Sequence, residues 1–208
     1  MIFDDASIDS LRELVRGRMS EKRYLHTLGV ENMAKRLGEI LLPDKVSELT
    51  VAALLHDVAK ELSYDEHLEL LRGGEVEFTE EDLSVKPALH SIAGVPLILR
   101  DFSYFATSDV CSAVFNHTVG APEMSVFDEI IFISDYAEEG RTYRTCIEVR
   151  EYLLADIKKE NSEEDNLSVL HTASLKSIEA TVQSLKHRGE RINTRTLRTK
   201  KYFDDILK

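Results

Sequence analysis

Apolar residues recur at three- and four-residue intervals along almost the whole chain. No stretch alternates with the two-residue period of a strand or carries hairpin turn chemistry. The pattern predicts an all-α helical bundle. A first helix opens at Ser7 and turns Leu11, Leu14 and Val15 inward. A second opens at Ser20, carries Leu25, Leu28, Met33, Leu37 and Leu41 as its stripe, and stops at Pro43. Asp44 is placed to cap a third helix reaching about Glu61. Residues 49–55 of that helix are almost wholly apolar, as expected only of a helix inside a core. A looser region follows, with Gly73-Gly74 as a turn and a strongly acidic run over 75–82. Pro87 suits the first turn of a helix that carries His90 and is kinked or stopped at Pro96. Ser108 caps another, which ends near His117 with Gly120 beyond it. Residues 123–136 turn Phe127, Ile130 and Ile131 inward. Two longer amphipathic helices, about 142–160 and 168–187, flank a polar loop at 161–166, and a short helix over about 194–207 ends the pattern.

Length and composition narrow the class. A chain of 208 residues is read as one domain, with a core at about 18–141 and a helical extension at about 142–208. No apolar run approaches membrane-spanning length, and the acidic N-terminus lacks the layout of a signal peptide. The two cysteines, Cys111 and Cys146, have no CxxC spacing; disulfides and thiolate zinc sites are poorly supported, and a reducing, cytoplasmic setting is expected. A formal net charge of −12 argues against broad binding of nucleic acid or anionic membrane. It leaves a small anionic substrate open, because a bound cation inverts the local field. The locally basic stretch from Lys186 to Lys201 is read as a solvated helix face.

The apolar run ends in His56-Asp57, and a buried imidazole–carboxylate pair is costly unless something compensates it. A metal cation takes a neutral imidazole and an ionised carboxylate together. Other inward positions supply partners. His26 edges the stripe of the second helix, His90 lies just after Pro87, and His117 continues the stripe of Val110 and Val114. Asp135 shares the face of Phe127 and Ile131. Taken singly, each has an ordinary structural explanation; six on inward faces of different helices point to a metal site in a bundle core. His26, His56, Asp57 and Asp135 make a minimal one-ion site. Two ions are also accommodated, with Asp57 bridging and His90 and His117 holding the second; alternatively, those two contact substrate phosphate. Nitrogen and oxygen donors without sulfur suit iron, manganese, zinc or magnesium. Lys60, Arg23 and Arg141 bring cations toward the same place, as a phosphorylated substrate would require, although surface ion pairs explain the two arginines equally well. His67, His171 and His187 are read as structural.

The order His26, His56-Asp57, Asp135 in an all-helical chain resembles the HD superfamily of metal-dependent phosphohydrolases. Within it, the chain is similar to the YqeK-like family of symmetrical bis(5′-nucleosyl)-tetraphosphatases. The shared motifs are RYLHTLGV at 23–30, LHDVAK at 55–60, Leu89-His90, HTVG at 117–120 and SDYAEEGR at 134–141. Ser134 stands where the family commonly has alanine, and Glu139 where it often has proline. The resemblance implies an HD-domain bundle and hydrolysis of diadenosine tetraphosphate to two ADP at a di-iron or similar centre, by attack of a metal-activated water on a central phosphorus. It implies His26, His56, Asp57 and Asp135 as metal ligands, with Asp135 also a candidate to accept the water's proton. It implies Lys60, His90, His117 and Thr118 as phosphate contacts. The expected partner is a small nucleotide, with a homodimer open. Another HD phosphohydrolase, such as a deoxynucleoside 5′-monophosphatase, and a catalytically silent nucleotide-binding scaffold are the alternatives.

Overall fold

The structure, a computed structural model, describes residues 3–73 and 76–208; the glycine turn expected at Gly74 lies outside them. The described residues form eleven α-helices and no strand, as the periodicity predicts. The central element is α3 (Val46–Leu55), buried on every face from Glu48 to Leu55. Around it pack α1 (Asp5–Arg16), α2 (Glu21–Leu41), α7 (Ser108–Asn116) and α8 (Val126–Ala137). The α2–α3 crossing is close because Gly38 has no side chain: a Cβ there would run into the Leu49 side chain.

The third helix is shorter than its pattern suggests. Its regular hydrogen bonding ends at Leu55, and the chain continues in tight three-residue turns: the amides of Val58, Lys60 and Leu62 donate to the carbonyls of Leu55, Asp57 and Ala59. His56 and Asp57 therefore leave the end of the core helix in a tightened turn. Lys60 does not share a helix face with them. Asp44 caps nothing; it sits in a short 3₁₀ turn, and α3 has no side-chain cap.

Other boundaries shift by a residue or a few, for local reasons. Asp4, Thr107 and Ser125 supply the cap oxygens of α1, α7 and α8, while Ser20 caps α2 as expected. Leu14 and Leu25 are exposed, because the buried faces of their helices run through Ile8, Leu11 and Val15, and through Thr27, Val30 and Ala34. The region expected to be loose holds α4 (Tyr64–Gly73) and the five-residue α5 (Glu80–Ser84), which a Thr79–Asp82 capping box starts. Pro96 does not stop α6 (Leu89–Asp101), which runs on for five residues.

Past α8, α9 (Arg144–Asp156), α10 (Glu163–His187) and α11 (Thr194–Ile206) fold back. Val149, Leu153, Leu170 and Ala173 join the main core, and Phe132 of α8 packs with Ile178, Val182 and Phe203. No helix among the described residues is long and apolar enough to cross a membrane.

Candidate metal centre

Six of the residues singled out by the sequence converge on one place. His26 comes from α2, His56 and Asp57 from the turn after α3, His90 from α6, His117 from the end of α7, and Asp135 from α8. Their donor atoms fall into two groups of metal-binding spacing: His26, His56 and Asp135, and Asp57, His90 and His117. Asp57 joins the two. Its Oδ2 is 3.4 Å from His56 Nε2 and 3.7 Å from His26 Nε2, while its Oδ1 is 3.1 Å from His90 Nε2 and 3.5 Å from His117 Nε2. Asp135 Oδ1 closes the first group at 3.0 Å from His26 Nε2.

The outer edges of the four rings set what the inner edges can do. The Nδ1 atoms of His56, His90 and His117 meet the backbone carbonyls of Ala53, Pro87 and Val114 at 2.6, 3.0 and 2.7 Å, each three residues upstream. His26 Nδ1 meets the Glu138 carboxylate at 3.1 Å. Carbonyl and carboxylate oxygens only accept, so Nδ1 carries the proton, and in the neutral ring the lone pair is left on Nε2. The Nε2 lone pairs point inward. His90 and His117 bring theirs within 3.0 Å of each other, an arrangement that a cation relieves. His26 Nε2 and His56 Nε2 are buried with no hydrogen-bond partner. Orphaned inward nitrogens, braced outer nitrogens and two ionised carboxylates fit a divalent cation.

Electrostatics agree with this arrangement. Burial opposes the charge on Asp57, but His56, His117 and His90, when they carry a proton on Nε2, hold its carboxyl well below the usual range; a cation at the centre would take the place of those protons. Burial likewise opposes ionisation of Asp135, and His26 and Arg141 outweigh it. Burial pushes His90 down to about 3, keeping its ring neutral as a ligand must be, whereas Asp135 and Glu138 raise His26 against burial, so a cation would have to displace its Nε2 proton.

The cations are near. Arg23 Nη1 lies 2.5 Å from Asp57 Oδ2, and Arg141 Nη2 lies 2.5 Å from Asp135 Oδ1. They pair with carboxylates of the centre, not with surface acids. Lys60 Nζ is 3.1 Å from His90 Nε2, and burial lowers its pKa. The Thr118 hydroxyl is 2.9 Å from His117 Nε2 and 3.1 Å from His90 Nε2. Beside Lys60 and His90 opens a cleft of about 350 Å³, also lined by Tyr64, His67, Lys86 and Pro87. A larger groove of about 800 Å³, between Leu62 and Leu97, includes none of the six residues.

Three residues here lie outside the set that the sequence singles out: Tyr64 and Lys86, which form a cation–π pair in the cleft wall, and Glu138. Of these, only Glu138 had a signal, its place in the SDYAEEGR motif. Of the histidines read as structural, His67 Nε2 meets the Ala59 carbonyl, although its ring also lines the cleft, and His171 Nδ1 meets Glu129.

A helical bundle with a bridged histidine–carboxylate centre, ringed by cations, is the architecture of a metal-dependent phosphohydrolase. The HD domain model matches residues 23–140, a span holding all six residues. Over 146 residues the chain is 30% identical to the symmetrical bis(5′-nucleosyl)-tetraphosphatase of Bacillus subtilis (strain 168), covering 70% of this chain and 76% of that protein. It is 29% identical to the symmetrical bis(5′-nucleosyl)-tetraphosphatase of Staphylococcus aureus (strain NCTC 8325 / PS 47), over 70% and 73%. The crystal structure of a predicted HD superfamily hydrolase involved in NAD metabolism, from Clostridium acetobutylicum, superposes with a TM-score of 0.81 at 28% identity, over 99% of this chain and all of that one. The chain belongs to the HD domain family of hydrolases and, within it, to the symmetrical bis(5′-nucleosyl)-tetraphosphatase family.

Proposed function

We propose that the chain hydrolyses diadenosine tetraphosphate symmetrically to two ADP at the histidine–aspartate centre. The observation that carries this reading is the division of Asp57, one oxygen to each group of histidines. The names of the relatives support the substrate. One divalent ion would be held by His26, His56, Asp57 and Asp135, and a second by Asp57, His90 and His117, with iron ahead of manganese, zinc or magnesium. Bound there, the metal would supply a water acidic enough to act near neutral pH.

The chain's own groups do the rest. Asp135, a quarter exposed where Asp57 is almost fully buried, is the carboxylate open to take the water's proton. Lys60 presents an ammonium between the cleft and the histidines, where a transferring phosphoryl group gains charge. Arg23 and Arg141, each shared with a carboxylate of the centre, can turn a second N–H toward phosphate oxygens. Thr118, whose hydroxyl lies beside His90 and His117, faces the phosphate path, and the cleft beside Tyr64 and Lys86 leaves room for one nucleoside half.

The test pairs elemental analysis of the purified protein with product identification. Stoichiometric metal and ADP as the sole nucleotide product are expected. Release of AMP with ATP, or faster turnover of deoxynucleoside 5′-monophosphates, overturns the substrate. A folded protein that neither holds metal nor gains activity on adding it overturns the centre.

A further inference from the structure

Three of the four histidines rest their outer nitrogen on a backbone carbonyl of their own turn; His26 alone rests on a side chain from elsewhere in the chain. That side chain, Glu138, is 3% exposed and follows directly on α8. Its position is built from several directions. One carboxylate oxygen, Oε1, is 3.1 Å from His26 Nδ1, and the other, Oε2, accepts the Gly140 N–H at 2.5 Å. Arg150, from α9, donates to the Glu138 carbonyl at 2.6 Å and to the carbonyls of Ala137 and Arg141 at 3.3 Å. Gly29, one turn along α2 from His26, leaves the space: a Cβ there would collide with Oε2, and one at Gly140 would come within 2.9 Å of it.

We infer that Glu138 is the positioning residue of His26, fixing the proton on Nδ1 and the lone pair on Nε2, so that the two ion sites differ in strength. The inference rests on the two-ion reading proposed above. A carboxylate behind a liganding imidazole raises its donor strength more than a neutral carbonyl does. The group of His26, His56 and Asp135 is therefore the tighter one. Both oxygens of Glu138 must accept, one from His26 and one from Gly140. An amide in its place has one acceptor only. If its oxygen keeps the Gly140 N–H, its NH₂ faces His26 and turns the ring to the tautomer whose Nε2 carries the proton.

The experiment is Mn²⁺ titration of the full chain, followed by calorimetry and by electron paramagnetic resonance of the bound ion. Glu138→Gln is expected to weaken one Mn²⁺ site about 10- to 100-fold and spare the other. Gly29→Ala keeps the carboxylate but displaces it, and should weaken the same site; the colliding atom is the far end of the Glu138 side chain, and alanine suits a helix interior better than glycine, so α2 itself can accept the methyl group. Circular dichroism of the EDTA-treated proteins is expected to show wild-type helix content, and their thermal melts to remain single cooperative transitions. Wild-type affinity at both sites in both variants, or equal weakening of both sites, overturns the inference and leaves the centre standing. No Mn²⁺ uptake by the wild type overturns both.

Discussion

Asp57 is the residue on which the two halves of the centre depend, because each of its oxygens faces a different pair of imidazole nitrogens. Asp57→Asn keeps the shape, but turns an NH₂ toward one pair and removes the negative charge. Metal content by elemental analysis should fall below one ion per chain, and hydrolysis by more than about 100-fold, the upper end of what outer partners alone cost. Lys60 separates ligation from substrate binding. Lys60→Met should leave metal content unchanged and lower kcat/KM about 100-fold, the scale of one lost oxyanion donor; loss of metal would instead make Lys60 part of the ion site. The six converging residues were legible because each is a polar side chain on an otherwise apolar face, where burial without a partner is costly. Glu138 was not. It stands beside Glu139 just past the end of α8, where no periodicity says which of the two carboxylates turns inward. The partners of Arg23 and Arg141 were equally hidden, since sequence distance cannot distinguish a carboxylate of the centre from a surface acid.

At the scale of elements, what places His26 against His56 is the crossing of α2 and α3. Gly38 permits it, and Leu49 fills the space a side chain would take. Gly38→Val forces the helices apart and should cost about 1–3 kcal/mol, read as a lower urea midpoint with an unchanged m-value. A midpoint equal to the wild type would show that the crossing relaxes freely. The long helices could be read from the sequence because their stripes persist over several turns. The segment after Leu62 could not: α4 buries only His67 and Leu71 of its ten residues, resting on α6 through Leu71, so its pattern is mostly that of a solvated helix. The end of α3 was overrun for the opposite reason. An apolar run continues past Leu55 through Val58 and Ala59, and only the three-residue hydrogen bonds reveal that the helix has given way to turns. That change directs His56 and Asp57 into the centre.

Across the whole molecule, the C-terminal helices share their core with the N-terminal ones through Val149, Leu153, Leu170 and Ala173, so one cooperative unfolding transition is expected. The same junction has a titratable link. His171 of α10 meets Glu129 of α8 at 2.9 Å, and that hydrogen bond raises the His171 pKa against the opposing effect of burial. A histidine whose folded pKa lies above its unfolded value binds its proton more tightly when native. Its contribution to stability is therefore fully present below about pH 6.5, the ordinary histidine value, and fades as pH rises through the raised native value. Removing the ring removes that contribution. In EDTA-treated protein, the stability gap between wild type and His171→Gln should be widest near pH 5.5 and narrow steadily toward pH 8.5, as read from urea midpoints at each pH. The comparison is with a variant in the same buffer, so the centre's own histidines cancel. A gap that stays constant with pH would mean that His171 supports the α8–α10 junction by packing alone, and that its proton plays no part.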